Sequence, residues 1–105
     1  MYRVITTFIS ESKTYSTAEE FVKEIEKHFN IKRRDWYFDY LRETKKLLND
    51  SISLIDNKTL VMITDWIDEV ASKDYIDNSN DLVMKEYIEK LKTSGITRTF
   101  KNEII

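Results

Sequence analysis

Over the first ten residues the chain alternates. Tyr2, Val4, Thr6 and Phe8 fall in one phase and Arg3, Ile5, Thr7 and Ile9 in the other. This predicts a strand over 2–10. The polar stretch Glu11–Ser16 predicts a loop. Thr17-Ala-Glu-Glu20 has capping-box spacing. Behind it the apolar period lengthens to that of a helix, with Phe21, Ile25, His28 and Phe29 on one face. A break follows near Asn30. A second helix is predicted over about Asp35–Leu48, with Tyr37, Tyr40, Leu41, Thr44 and Leu48 as its stripe. Trp36, Phe38 and Leu47 widen that stripe, which suggests contact on more than one side.

Ser51–Ile55 reads as a short strand, and Leu60–Trp66 as the strand returning from it. Asp56-Asn57-Lys58-Thr59 forms the turn, where Asn or Asp can supply a positive φ. Asp68–Ile76 reads as a short helix and Asp77–Asn80 as a loop. A last helix runs over about Asp81–Thr93, with Val83, Met84, Tyr87, Ile88 and Leu91 inward. Gly95, the only glycine, stands where a helix C-terminal left-handed residue belongs. A final strand covers 96–104, with Ile96, Phe100 and Ile104 on one face. The element order is that of a split βαββαβ, or ferredoxin-like, α+β fold. It implies a four-stranded antiparallel sheet with its helices on one face.

Such a sheet leaves its other face bare. Leu60–Trp66 nevertheless carries Val61 and Ile63 on one side and Leu60, Met62 and Trp66 on the other. Strands apolar on both sides are covered on both sides. A second copy packed sheet to sheet supplies that cover, and a homodimer is expected. The alternative is a monomer whose aromatic segment 35–48 wraps the open face.

Length and charge narrow the function classes. A chain of 105 residues is enough for one domain, 1–105, and too short for two. No cysteine is present, which excludes disulfide and thiolate chemistry. No apolar run reaches the length of a membrane span, and the N-terminal residues do not resemble a signal peptide, so a cytoplasmic protein without membrane contact is expected. A net charge of −2 with both signs interspersed is a solvated surface, not a nucleic-acid footprint. Ile, Lys, Asn and Tyr are abundant and have AT-rich codons, so an AT-rich genome such as a phage's is expected, with codon bias preferred to a structural cause.

Residues 59–76 carry a resemblance. An apolar strand ends at Trp66, Ala71 follows five residues later and Tyr75 nine residues later. This is similar to the antibiotic-biosynthesis monooxygenase-like members of the dimeric α+β barrel superfamily. Their strand ends Glu-x-Trp, and the next helix carries an Ala and a His. Thr64 stands here in place of the Glu and Tyr75 in place of the His. The resemblance implies a ferredoxin-like homodimer forming a dimeric α+β barrel. It also implies cofactor-free oxygenase chemistry on aromatic substrates, haem degradation, or membership among the many relatives with no known activity.

Each candidate residue has a functional and a structural reading. Trp66 lines a ligand cavity between sheet and helices, or anchors the core or a dimer interface. Tyr75 offers a phenol to that cavity, or packs its ring and wets its hydroxyl. His28, the only histidine, is the one side chain that titrates near neutrality without a large shift, yet no partner for a general base is evident. Arg98 shares a phase with Ile96 and Phe100. It holds an anionic ligand there, or snorkels to the strand edge. Asp65, Asp68 and Glu69 suit a helix start. Asp77–Asp81 superficially matches a calcium loop but has Leu82 where Gly is needed and Ile88 where Glu is needed. With no Cys and one His, no metal site is expected. RNA binding through the sheet, as in RRM domains, is not expected either, because Leu60–Trp66 lacks the stacking aromatics and basic flanks.

The sequence thus supports a pocket lined by Trp66, Thr64, Tyr75, Arg98 and His28 that takes a small apolar or aromatic molecule without a cofactor. The alternative is a non-catalytic interaction or regulatory protein on the same dimer scaffold, using Trp36, Phe38 and Tyr40.

Overall fold

The computed structural model describes residues 1–27, 41–73 and 89–105, the Phe100 side chain excepted. The elements are β1 (Tyr2–Ser10), α1 (Ala18–Glu26), β2 (Leu47–Asp56), β3 (Thr59–Trp66) and β4 (Ile96–Ile104). They form a four-stranded sheet in the order β2-β3-β1-β4, and every adjacent pair is antiparallel. β3 inserts between β1 and β2, which is the split arrangement expected from the element order.

β1 alternates as its sequence does. Tyr2, Val4, Thr6, Phe8 and Ser10 are buried on the inner face, while Arg3, Ile5 and Thr7 are half-covered on the outer face. Directly opposed residues share a face. The inner rows are therefore Leu47–Trp66–Tyr2–Ile104, Asp50–Thr64–Val4–Asn102, Ile52–Met62–Thr6 and Leu54–Leu60–Phe8–Arg98.

α1 begins where the capping box placed it. Glu20 N donates to Thr17 Oγ1 at 3.2 Å, and Glu20 Oε2 accepts from Ser16 N at 3.0 Å. The helix lays Phe21 and Ile25 on Phe8, Leu60 and Ile96, with Leu91 completing this cluster. A second cluster sits at the other end of the inner face, where Tyr2, Val4, Leu47 and Trp66 pack with Leu41 and Ala71.

The expected second helix ends early. Residues 41–43 are helical, but Lys45 takes φ 59°. Lys45 N donates to Leu-flanking Arg42 O and Lys46 N to Leu41 O, both at 3.0 Å. This is a Schellman closure built on lysine instead of glycine. Leu47 and Leu48 consequently begin β2 rather than ending the helix, and β2 runs from Leu47 instead of Ser51. A register shift between Leu47 and Asn49 breaks the alternation that would have revealed it. Because lysine carries a Cβ that disfavours positive φ, Lys45→Gly is expected to stabilise the fold by about 0.5–1 kcal/mol. Chemical denaturation checks this, and a loss of stability would contradict the strained closure.

The hairpin between β2 and β3 turns without a positive φ. Asp56 Oδ1 accepts from Lys58 N at 2.9 Å, an Asx turn, instead. The loop after β1 straps over this turn, with Tyr15 N donating to Asn57 O at 2.8 Å. Tyr15 packs tilted against Phe21 at 4.4 Å, and its buried hydroxyl lies beside Ser10 without a well-formed hydrogen bond. Burial raises the phenol's pKa, and the Glu24 carboxylate adds to the effect. An unpartnered buried hydroxyl is costly. Tyr15→Phe is therefore expected to raise stability by about 1 kcal/mol, read as a higher unfolding midpoint. A lower midpoint would mean the hydroxyl is paired after all.

Gly95 closes the last helix at φ 82°, with Gly95 N on Lys92 O at 3.0 Å, as its position predicted. No helix among the described residues is long and apolar enough to cross a membrane.

Candidate functional site

The inner face between the two clusters carries the candidate site. Trp66 ends β3 at 2 % exposure, ringed by Tyr2, Val4, Leu41, Leu47 and Ala71. Its Nε1–H donates to Thr64 Oγ1 at 3.0 Å. Alternation puts the two side chains on the same face, two residues apart, which makes this bond local. The residue expected to line a cavity is thus a packed anchor whose one polar group is already engaged. Ala71 reaches the same cluster because its helical stretch, residues 69–73, starts right behind Trp66. Asp68 caps that stretch, accepting from Ala71 N at 2.8 Å.

Arg98 is half-buried on β4, opposite Phe8. Trp66 is opposite Tyr2, six residues away along β1. At about 3.3 Å per residue this separates the two by roughly 20 Å. The structure therefore brings Thr64 to Trp66 and leaves Arg98 at the other end of the face. Tyr75 and His28 lie outside the described residues, as do Trp36, Phe38 and Tyr40.

Two features were not drawn from the sequence. Thr6 joins Thr64, one of the expected pocket residues, as a second buried hydroxyl in the middle of the inner face. The signal was a threonine in the apolar phase of each strand. The other feature is on the outer face. Arg3 and Asp65 are 62 positions apart yet directly opposed, and they form a bidentate pair at 2.7 and 3.0 Å. Only the strand register reveals it. The three acids expected to act together at the helix start therefore separate: Asp65 pairs with Arg3, Asp68 caps, and Glu69 meets Lys73 at 3.1 Å.

The Arg3 hydrogen bonds hold the Asp65 carboxyl below its ordinary value of 3.8, against an opposing effect of burial. A depressed carboxylate stabilises the fold fully above that ordinary value and loses its contribution as pH falls through the lowered one. Wild type is accordingly expected to lose more thermal stability than Asp65→Asn between pH 5 and the acid limit of the lowered pKa. Parallel melting curves across that range would contradict the pairing.

Among the described residues no group of His, Cys, Asp and Glu could hold a metal ion.

No protein-family model and no curated protein sequence matches the chain. Solved structures do. A dimeric ferredoxin-like protein from an uncultured marine organism superposes with a TM-score of 0.67 at 16% identity, covering 99% of this chain and 94% of that one. The fold is ferredoxin-like. A provisionally named antibiotic biosynthesis monooxygenase from Deinococcus radiodurans gives a TM-score of 0.62 at 12% identity, covering 100% and 92% of the two chains. A Streptomyces coelicolor monooxygenase in complex with Nanaomycin D gives 0.53 at 15% identity, covering 99% and 88%. At these identities the likeness extends to the ferredoxin-like fold and no further.

Proposed function

We propose that the chain is a cytoplasmic homodimer that binds a small apolar or aromatic molecule between sheet and helices, as a monooxygenase-like protein working without a cofactor. The observation that carries this reading is the inner face itself, where a polar pair of threonines interrupts two apolar clusters next to Trp66. Thr64 holds the Trp66 indole, and Thr6 adds a second buried hydroxyl beside it. The monooxygenase-like neighbours of the same fold support it.

The outer face supports the dimer. Ile5 lies opposite Ile63 and Thr7 opposite Val61, all half-covered, with Ile9 44% exposed beside them. Asp65 holds Arg3 within that face, and Lys101 and Glu103 stand on its β4 edge. The apolar stretch of Ile5, Val61 and Ile63 suits a second copy. Two neighbours are themselves described as dimeric.

Oxygen uptake by the purified protein with an activated phenol such as hydroquinone tests the catalytic part. Uptake above the uncatalysed rate that drops in Thr64→Val, a variant that keeps the Trp66 ring, supports the oxygenase reading. Uptake that is identical in both proteins removes it and leaves binding alone.

One observation favours the interaction-protein reading. Ile67 N donates to Lys46 O at 2.9 Å, which brings exposed Ile67 and Val70 to the end of the sheet where Leu48 is also exposed. Such a patch marks a partner site.

A further inference from the structure

Thr64 lies opposite Val4, and Thr6 lies opposite Met62. The two threonines are therefore diagonal neighbours on the inner side of β1 and β3, with their Cβ atoms within roughly 8 Å. Both are closed off from solvent, at 2% exposure for Thr6 and 5% for Thr64. A hydroxyl has one donor and two acceptor lone pairs. Thr64 Oγ1 spends an acceptor on the Trp66 indole N–H at 3.0 Å and keeps its own O–H to give. Donation into that oxygen polarises the O–H and makes it a stronger donor. Trp66 cannot turn to a ligand itself, because its ring is fixed among Tyr2, Val4, Leu41, Leu47 and Ala71.

Among the described residues, charge is missing from this part of the face. In the row of Thr64 the only ionisable residue is Asp50 on β2, and it is tied to Arg42 at 2.9 Å. Arg98 belongs to the row of Phe8. An ionised ligand would leave water there without a counter-charge.

We propose that Thr6 and Thr64 form a hydroxyl subsite that donates to the carbonyl oxygen of an uncharged, ring-bearing ligand, with Trp66 acting through Thr64. This rests on the small-molecule reading above and adds to it the ligand's polar group. Thr6 and Thr64 touch the ligand; Trp66 is a positioning residue.

The test compares 1-tetralone with tetralin, two uncharged bicyclic molecules that differ by one carbonyl. Their affinities for the full chain are measured by calorimetry, for wild type and for the near-isosteric variants Thr6→Val and Thr64→Val. Wild type is expected to bind the ketone about 5- to 10-fold more tightly than the hydrocarbon. Each valine variant loses about 5-fold for tetralone and nothing for tetralin. The infrared carbonyl stretch of bound tetralone is expected at lower wavenumber in wild type than in either variant, with Trp66→Phe between them. Thr64→Val also strands the indole N–H, so Thr6→Val carries the test if that variant unfolds. Tetralone affinities and stretches unchanged by the substitutions, while tetralin still binds, would overturn the subsite and leave the pocket standing. Binding of neither molecule would remove the pocket reading and the subsite with it.

Discussion

Trp66→Ala is expected to destabilise the protein by about 3–5 kcal/mol and to lower its unfolding temperature by at least about 10 °C. The substitution removes a ring that is 2% exposed and packed by residues from β1, β2 and both flanking helical stretches. Its neighbours are fixed in strands and cannot collapse into the space, so the cavity persists. Thr64 Oγ1 also loses the indole N–H that it accepts at 3.0 Å. Thr64→Val separates these effects. It keeps the ring and deletes only the acceptor, so it is expected to cost about 1–3 kcal/mol through the stranded indole donor. Thermal melts of both variants decide the matter. A Trp66→Ala melt within a few degrees of wild type would show that the ring is not a core anchor.

The second large effect concerns the outer face. Ile63 lies between Ser51 on β2 and Ile5 on β1, near the middle of that face. Ile63→Asp is expected to convert the proposed dimer of two 12.6 kDa chains to the single chain. A carboxylate trapped between two sheets has no partner and costs several kcal/mol, which is roughly 1,000-fold or more in the dimer dissociation constant. In the monomer the same side chain faces water, so the fold survives. Equilibrium sedimentation reads the mass, and circular dichroism confirms the fold. A variant that keeps the wild-type mass would place the dimer contact elsewhere or remove it.

Much of this architecture was legible residue by residue. The alternation of Tyr2 to Ile9 fixed both faces of β1, Thr17 and Glu20 marked the start of α1, and Gly95 marked a helix end. Each signal is local, and each survives without glycine or proline punctuation elsewhere. The early end of the second helix was hidden because its left-handed residue is Lys45, an ordinary helix former. The bulge after Leu47 then disguised the start of β2.

The candidate site was legible in phase and illegible in position. Alternation puts Trp66 and Thr64 in one phase of β3 and Arg98 in the phase of Ile96 on β4, and the pairing with β1 then puts all three on the inner face. What alternation cannot give is the distance along the sheet, which depends on how β1 pairs with β3 and β4. That register sends Arg98 to Phe8 and Trp66 to Tyr2. The same register creates the Arg3–Asp65 pair, which no local pattern announces.

The most direct measurement is a crystal structure of the protein grown with 1-tetralone. The account predicts two copies joined through Ile5, Val61 and Ile63, with the ketone on the inner face and its oxygen within hydrogen-bond reach of Thr6 and Thr64. Side chains filling the space over those two hydroxyls, with no ligand admitted, would contradict it.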